Sequence, residues 1–259
     1  MRSFVVFKVL DRLYGIDIEC VKRILPSQQL TAMPDEEDHI EGMFQYEDEI
    51  IKVLSFRKAI GEDTYEVYLK KNVFAKLEDE IKTWLDTLSQ SVDKGIDSSL
   101  STNPHNSCLG KWLDSFHPDD SAVIEAMSVL VLNYQNLYKY AGEILEYKDK
   151  DPEKAKQAMN EDIASAYKET LAGLKRLSKL ADKVSANLQR CFILIGQDGE
   201  VFGVNIDEVD DIIHVEEGQL HEALGAQSMG DFMDVSAILE HDEKLITIVK
   251  NVSIEKRSA

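Results

Sequence analysis

YGIDIECVKRIL at residues 14–25 and FGVNIDEVDDII at residues 202–213 are nearly one phrase written twice, 188 positions apart. Both copies run aromatic, glycine, β-branched residue, and both continue with the spacing I-x-x-V-x-x-I. Alternating apolar residues read as strand, and a glycine inside a strand marks a bulge or the close approach of another backbone. Gly15 and Gly203 are those glycines. The flanks repeat as well. FVVFKVL (4–10) precedes the first phrase across the turn Asp11-Arg12, and CFILIG (191–196) leads into the second through Asp198-Gly199, a pair suited to a type I′ turn. Downstream, IIKVLSF (50–56) follows the acidic turn Glu47-Asp48-Glu49, and LITIVKNV (245–252) follows His241-Asp242-Glu243. A β unit of about 60 residues is marginal alone, so two similar barrels or sheets sharing a core are expected.

Between the copies the period changes. Phe74, Leu77, Ile81, Trp84 and Leu88 are spaced 3-4-3-4, as are Leu174, Leu177, Ala181, Val184 and Leu188. Met127, Leu130, Tyr134, Leu137, Ala141 and Ile144 form a third apolar stripe, and LGKWLDSF (109–116) a shorter helical piece. Asp119-Asp120-Ser121 and Asp151-Pro152-Glu153 supply helix starts. Four helices running up and down return the chain to where it entered, which suits insertion into a surface loop. The expected fold class is therefore α+β multidomain. A discontinuous β domain (1–62 and 190–259), a pair of small β-barrels, carries an inserted antiparallel four-helix bundle (63–189).

Composition narrows the function. The 259 residues carry a net charge of −19, divided as −4 over 1–62, −4 over 63–190 and −11 over 191–259. Such a surface repels a phosphate backbone and has no basic stripe to neutralise one, which excludes nucleic acid as a partner. The acidic face either keeps the chain solvated or selects a basic protein partner. No run of some eighteen apolar residues spans a membrane and no signal segment opens the chain, so a cytoplasmic location without membrane insertion is expected. Cys20, Cys108 and Cys191 are an odd set at wide spacing, which fits a reducing compartment. No P-loop, G-x-G-x-x-G or G-x-S-x-G occurs, and the six histidines never fall at metalloprotease spacing. A non-enzyme is expected.

The two β stretches resemble the CheW-like domain, the coupling module of bacterial chemotaxis. The matching residues are F-x-V-F…YGIDI-x-x-V-x-x-I, then Ile40-Glu-Gly-Met-Phe, IIKVLSF, and VFGVNIDEVDDII with its closing strands, over 3–61 and 191–252. The resemblance implies two five-stranded barrels that dock onto a histidine kinase's own similar domain and onto chemoreceptor cytoplasmic tips, without catalysis. The docking positions it implies lie near Ile40, Gly42, Glu47, Ile50 and Val53. Where that family carries N-[LM]-R-G, this chain reads Gln45-Tyr46-Glu47-Asp48. Glu47 in place of a cation reverses the local field, so either the partner differs correspondingly or coupling proceeds differently.

The helical stretch resembles the chemoreceptor zinc-binding domain, through SCLGKWLDSF (107–116), Trp84 and the pattern Tyr134-x-x-Leu137-Tyr138-x-x-Ala141. That family holds zinc with a helix-1 histidine, the signature cysteine and an H-x-x-x-H pair. Here those positions align with Ile81, Ser107, Tyr134 and Tyr138. Isoleucine cannot coordinate, and a phenol releases its proton far less readily than imidazole offers a lone pair. No cofactor is therefore expected, packing having replaced the metal. A rebuilt zinc site would draw instead on His105, Cys108 and His117 with Asp79 or Glu80. Cys108 invites a redox reading, since Lys111 and a helix start both lower a thiol pKa, and a reading as apolar filler beside Trp112. Trp84, Cys108, Trp112, Tyr134 and Tyr138 are the candidates for a bundle pocket.

The reading is a chemotaxis adaptor or scaffold whose bundle supplies a second surface or an input, including self-association as a homodimer. Two alternatives stay open: a zinc- or ligand-responsive sensor that modulates coupling, and a structural scaffold or decoy that no longer couples to the kinase.

Overall fold

Strand β1 (Arg2–Val9) turns at Leu10 into β2 (Arg12–Asp17), and a 3-10 turn (Ile18–Cys20) separates β2 from β3 (Val21–Pro26). Then follow β4 (Ile40–Tyr46), β5 (Glu49–Ser55) and the single helical turn α1 (Phe56–Ala59). After the helical region come β6 (Arg190–Ile195), β7 (Val201–Ile206), β8 (Glu208–Val215), β9 (Leu220–Met229), β10 (Met233–His241) and β11 (Lys244–Lys250). The computed structural model describes residues 1–33, 39–94, 100–196, 199–229, 232–250 and 252–254. The chain divides into two compact units, Met1–Tyr65 with Ser185–Ala259, and Glu66–Val184.

In the first unit the strands form two sheets, ordered β8-β1-β2-β11-β10-β9 and β3-β6-β7-β5-β4. Each sheet takes strands from both ends of the chain. Replacing β1, β2, β8, β11 and β10 by β6, β7, β3, β5 and β4 converts the first order into the second, with β9 left over. The expected pair of barrels, one per sequence half, is therefore not what forms. Among the described residues neither sheet closes on itself, β8 and β9 being the edges of one and β3 and β4 of the other. The repeated phrase explains this exchange. Its first half is β2 or β7 and its second half is β3 or β8, so each copy begins in one sheet and ends in the other.

The phrase glycines sit where the chain ends meet. β2 runs parallel to β11 with Gly15 opposite Ile248, and β7 runs parallel to β5 with Gly203 opposite Val53. A Cβ on Gly15 would come within 2.7 Å of Ile248 Cδ1, and one on Gly203 within 3.0 Å of Val53 Cγ2 and Cys191 Sγ. The glycines thus admit a β-branched residue of the opposite chain end. Hairpin turns also match. Glu47 takes φ +54°, while Asp242 and Glu243 take +49° and +63°. Gly199 takes φ +80°, whereas its expected turn partner Asp198 lies outside the described residues.

One cluster draws on both sheets: Phe7, Tyr14 and Ile16 from the first, Phe192, Phe202 and Val204 from the second, with Leu54 and Phe56. Phe7 packs edge-on to Phe56 and Phe192 at centroid distances of 5.0 and 5.4 Å. Each sheet also has a core of its own, around Phe4, Ile213 and Ile248 in one and Ile51, Val53 and Ile193 in the other. Beside the shared cluster, Arg57 is 2% exposed and makes a bidentate pair with Asp207, Nε to Oδ1 at 2.6 Å and Nη2 to Oδ2 at 2.5 Å. Asp207 Oδ2 also accepts the Leu10 N–H at 2.8 Å, and the Arg57 guanidinium lies 4.7 Å from the centre of the Tyr65 ring. One carboxylate therefore fixes the β1–β2 turn, α1 and the β7–β8 junction.

The second unit is helical. Tyr65–Tyr68 (α2) passes through a π-turn into α3 (Ala75–Lys94), followed by α4 (Cys108–Ser115), α5 (Ser121–Tyr147), α6 (Pro152–Ala158), α7 (Ala164–Lys179) and α8 (Ala181–Leu188). Asp120 caps α5 by accepting the Ala122 and Val123 N–H groups, and it pairs with Lys183 at 2.9 Å. Val123, Ala126, Leu130, Tyr134, Leu137, Ala141 and Ile144 form the buried stripe of α5. A Cβ on Gly173 of α7 would lie 3.1 Å from Leu130, so that glycine sets how closely α7 approaches α5. Among the described residues no helix is long and apolar enough to cross a membrane.

The buried pair yields a prediction with an internal control. Asp207→Asn leaves Arg57 charged and buried, and should lower the unfolding free energy by about 3–5 kcal/mol. Glu19 occupies the corresponding place in the first phrase but is exposed, so Glu19→Gln should change stability by less than about 0.5 kcal/mol. Urea unfolding of the two variants measures the contrast.

Candidate functional site

The residues implicated in docking divide between surface and core. Ile40 opens β4, partly buried. Gly42 takes φ +147°, and a Cβ there would lie 2.6 Å from the Thr31 carbonyl oxygen, so it serves the backbone bridge between Thr31 and Met43. Val53 is fully buried against Gly203, which removes its side chain from any docking surface. Glu47 is exposed in the turn, and Ile50 just after it is 70% exposed. The second chain end repeats the arrangement, with Leu245 68% exposed after Asp242-Glu243. Ile50 pairs with Gln45 and Leu245 with Glu240, at equivalent places in their hairpins. Large apolar side chains beside acidic turns suit a partner patch that is apolar at its centre and basic at its rim. Leu245 was legible in the sequence as the match between EDEI and DEKL.

In the helical unit, Ile81, Ser107, Tyr134 and Tyr138 converge on one pocket of about 120 Å³. Glu80, Trp84, Ser101, Asn103 and Asn106 complete its lining. The local architecture starts at Gly110, where a Cβ would collide with the Pro104 carbonyl oxygen at 1.9 Å. Its absence lets the 3-10 turn Pro104–Asn106 fold back over α4. Ser107 is the N-cap of α4. Its hydroxyl donates to Pro104 O at 2.7 Å, accepts the Gly110 N–H at 2.8 Å and is in short contact with the Tyr134 hydroxyl. Glu80, reaching from α3, accepts the Cys108 and Leu109 N–H groups at 2.8 and 3.2 Å. Trp84 stacks on Tyr138 at 4.5 Å and donates from Nε1 to Ser101 O at 3.3 Å.

These residues do not fit zinc. Burial pushes the phenols of Tyr134 and Tyr138 up from their ordinary value, which keeps them protonated. Ile81 offers no donor. The alternative set is not assembled either. His105 Nδ1 is bonded to Asp114 at 2.7 Å, and among the described residues no three His, Cys, Asp or Glu side chains are placed to hold a metal. Cys108 and Trp112 stand apart from the pocket lining, Trp112 stacking on Phe116 at 4.9 Å. Cys108 is exposed, so it is not an apolar filler. Its thiol is pushed up by the hydrogen bond to Glu80 and that carboxylate's charge, against the weaker pull of Lys111, the reverse of an activated cysteine.

A labelling experiment reads this directly. In a Cys20→Ser background, Cys108 should react with a thiol reagent more slowly than free cysteine between pH 7 and 8.5. Glu80→Gln should lower its apparent pKa and speed the reaction.

Outside the pocket, Ile124, Val129 and Leu132 are exposed on the outer face of α5. A shallow apolar groove there is lined by Ile124, Met127, Val131 and Leu132.

Comparison with known proteins adds the following. A family model described as the CheW-like domain matches residues 3–80. The crystal structure of the scaffolding protein TtCheW from Thermoanaerobacter tengcongensis aligns with a TM-score of 0.45 at 14% identity, covering 96% of this chain and 84% of that one. No curated protein matches the chain. The match runs from β1 into α3 and covers less than a third of the 259 residues.

Proposed function

We propose that this chain is a non-catalytic coupling adaptor of chemotaxis signalling, which docks onto the CheW-like domain of a histidine kinase and onto chemoreceptor tips. The carrying observation is the repeated placement of Ile50 and Leu245. An adaptor must hold two things at once, and the exchanged sheets offer the same apolar-after-acidic-turn feature once from each chain end. The CheW-like match over 3–80 supports the partner class. Docking is noncovalent: an apolar anchor enters a partner pocket, and the carboxylates of Glu47, Asp48, Asp242 and Glu243 select for a basic rim. Glu47 sets this adaptor's preference apart from one built around an arginine at that turn.

The helical unit lies in the chain between α1 and β6. Its role in this reading is to add an input or a second surface to the coupling module. The pocket at Tyr134 and Tyr138 favours an input that does not depend on zinc.

Binding to a purified histidine kinase and to receptor tips tests the reading. Ile50→Asp and Leu245→Asp should each weaken one partner by at least about tenfold, an anchor truncation commonly costing 2 kcal/mol or more. The double variant should lose both partners, and Glu47→Arg should alter kinase affinity without unfolding the chain. Wild-type protein that binds neither partner, or Asp variants that bind as wild type does, would contradict the proposal.

A further inference from the structure

The geometry points to the helical-unit pocket as a site for a small organic cation, an ammonium or amidinium on a skeleton of a few carbons. Size sets the first limit. The pocket's volume of about 120 Å³ is near that of a cavity that accepts benzene, which restricts the guest to roughly six to eight heavy atoms. Charge sets the second. Of the nine described lining residues only Glu80 carries a charge, and no lysine, arginine or histidine is among them. An anion would face a carboxylate without compensation. A divalent ion would find a single carboxylate already engaged by two backbone N–H groups, with only neutral oxygens beside it.

Hydrogen-bonding capacity sets the third limit. The Ser107 hydroxyl is saturated by Pro104 O, the Gly110 N–H and Tyr134. The Trp84 N–H is spent on Ser101 O, and Asn106 spends an amide N–H on Ser101 Oγ. What remains is the Asn103 and Asn106 amides, the tyrosine hydroxyls and the Glu80 carboxylate, of which the carboxylate alone is charged. Glu80 takes two backbone N–H groups and the Cys108 thiol, whereas a carboxylate has about four lone-pair positions. A guest that brings donors gains from that carboxylate, and a cationic donor gains most. Trp84 and Tyr138 line the same space as a stacked pair, and aromatic rings attract a nearby positive charge. The net charge of −19 adds a long-range attraction for cations. This assignment stands apart from the docking role of the β unit.

Calorimetric and NMR titration of the full chain at low ionic strength tests it, using matched pairs: benzylammonium against benzyl alcohol, and isobutylammonium against isobutanol. Acetate and zinc serve as further probes. One equivalent of a cation should bind, with its neutral counterpart roughly tenfold weaker or worse. Glu80→Gln keeps an acceptor for the start of α4 and should weaken cation binding by a similar factor, with the circular dichroism of the free protein unchanged. Trp84→Leu is a second variant whose loss of binding tests the ring contribution separately. Equal binding of the neutral partners, preference for acetate or zinc, or no binding by any probe would overturn the assignment.

Discussion

Antiparallel pairs β1–β8 and β3–β6 link the two chain ends, and two short parallel pairings, β2 with β11 and β7 with β5, complete each sheet. Each parallel pairing joins a strand of the repeated phrase to a strand from the other end of the chain, and each has a glycine facing a β-branched residue. Parallel neighbours cannot be joined by a tight hairpin, so these contacts are necessarily long-range in sequence. Without them each sheet would split at its centre, β8-β1-β2 from β11-β10-β9 and β3-β6-β7 from β5-β4. With them, both sheets gain central strands and the shared aromatic cluster of Phe7, Tyr14, Phe56 and Phe192 can form.

The exchange also bears on function. A near-symmetric pair of sheets presents equivalent positions twice, which is how Ile50 and Leu245 come to share a setting despite lying far apart in sequence. The symmetry is broken at Asp207, buried and paired with Arg57, where the first phrase has exposed Glu19. Replacing such a pair with apolar side chains is often neutral for stability. Its value here is orientation, since one carboxylate joins a turn of the first end, α1 and the second phrase. In the proposed coupling role, two faces that differ in detail would serve unlike partners.

Much of this was legible in the sequence. The twin phrases, their glycines, the acidic hairpin turns and the caps at Asp120 and Asp151 all follow from local chemistry. The exchange of strands was not, because alternation shows that a strand has two faces but not which sheet it joins. Val53 looked available for docking for the same reason. It is buried with Ile51, Cys191 and Ile193 in the core of its own sheet, beside Gly203. In the helical unit, spacing brought out Tyr134 and Tyr138 as core positions, and they are buried. The Cys108 thiol could not be read from its neighbours. Lys111 suggested activation, whereas the dominant group, Glu80, arrives from another helix. Through-space partners of this kind carry no periodic signature.

The central claim is that neither chain end is a folding unit, because every sheet needs strands from both. Fragments 1–65 and 185–259, prepared separately, test it most directly by circular dichroism and urea unfolding. The account predicts that each alone lacks a cooperative transition and that mixing them yields a folded one-to-one complex. A cooperative transition in either fragment by itself would contradict it.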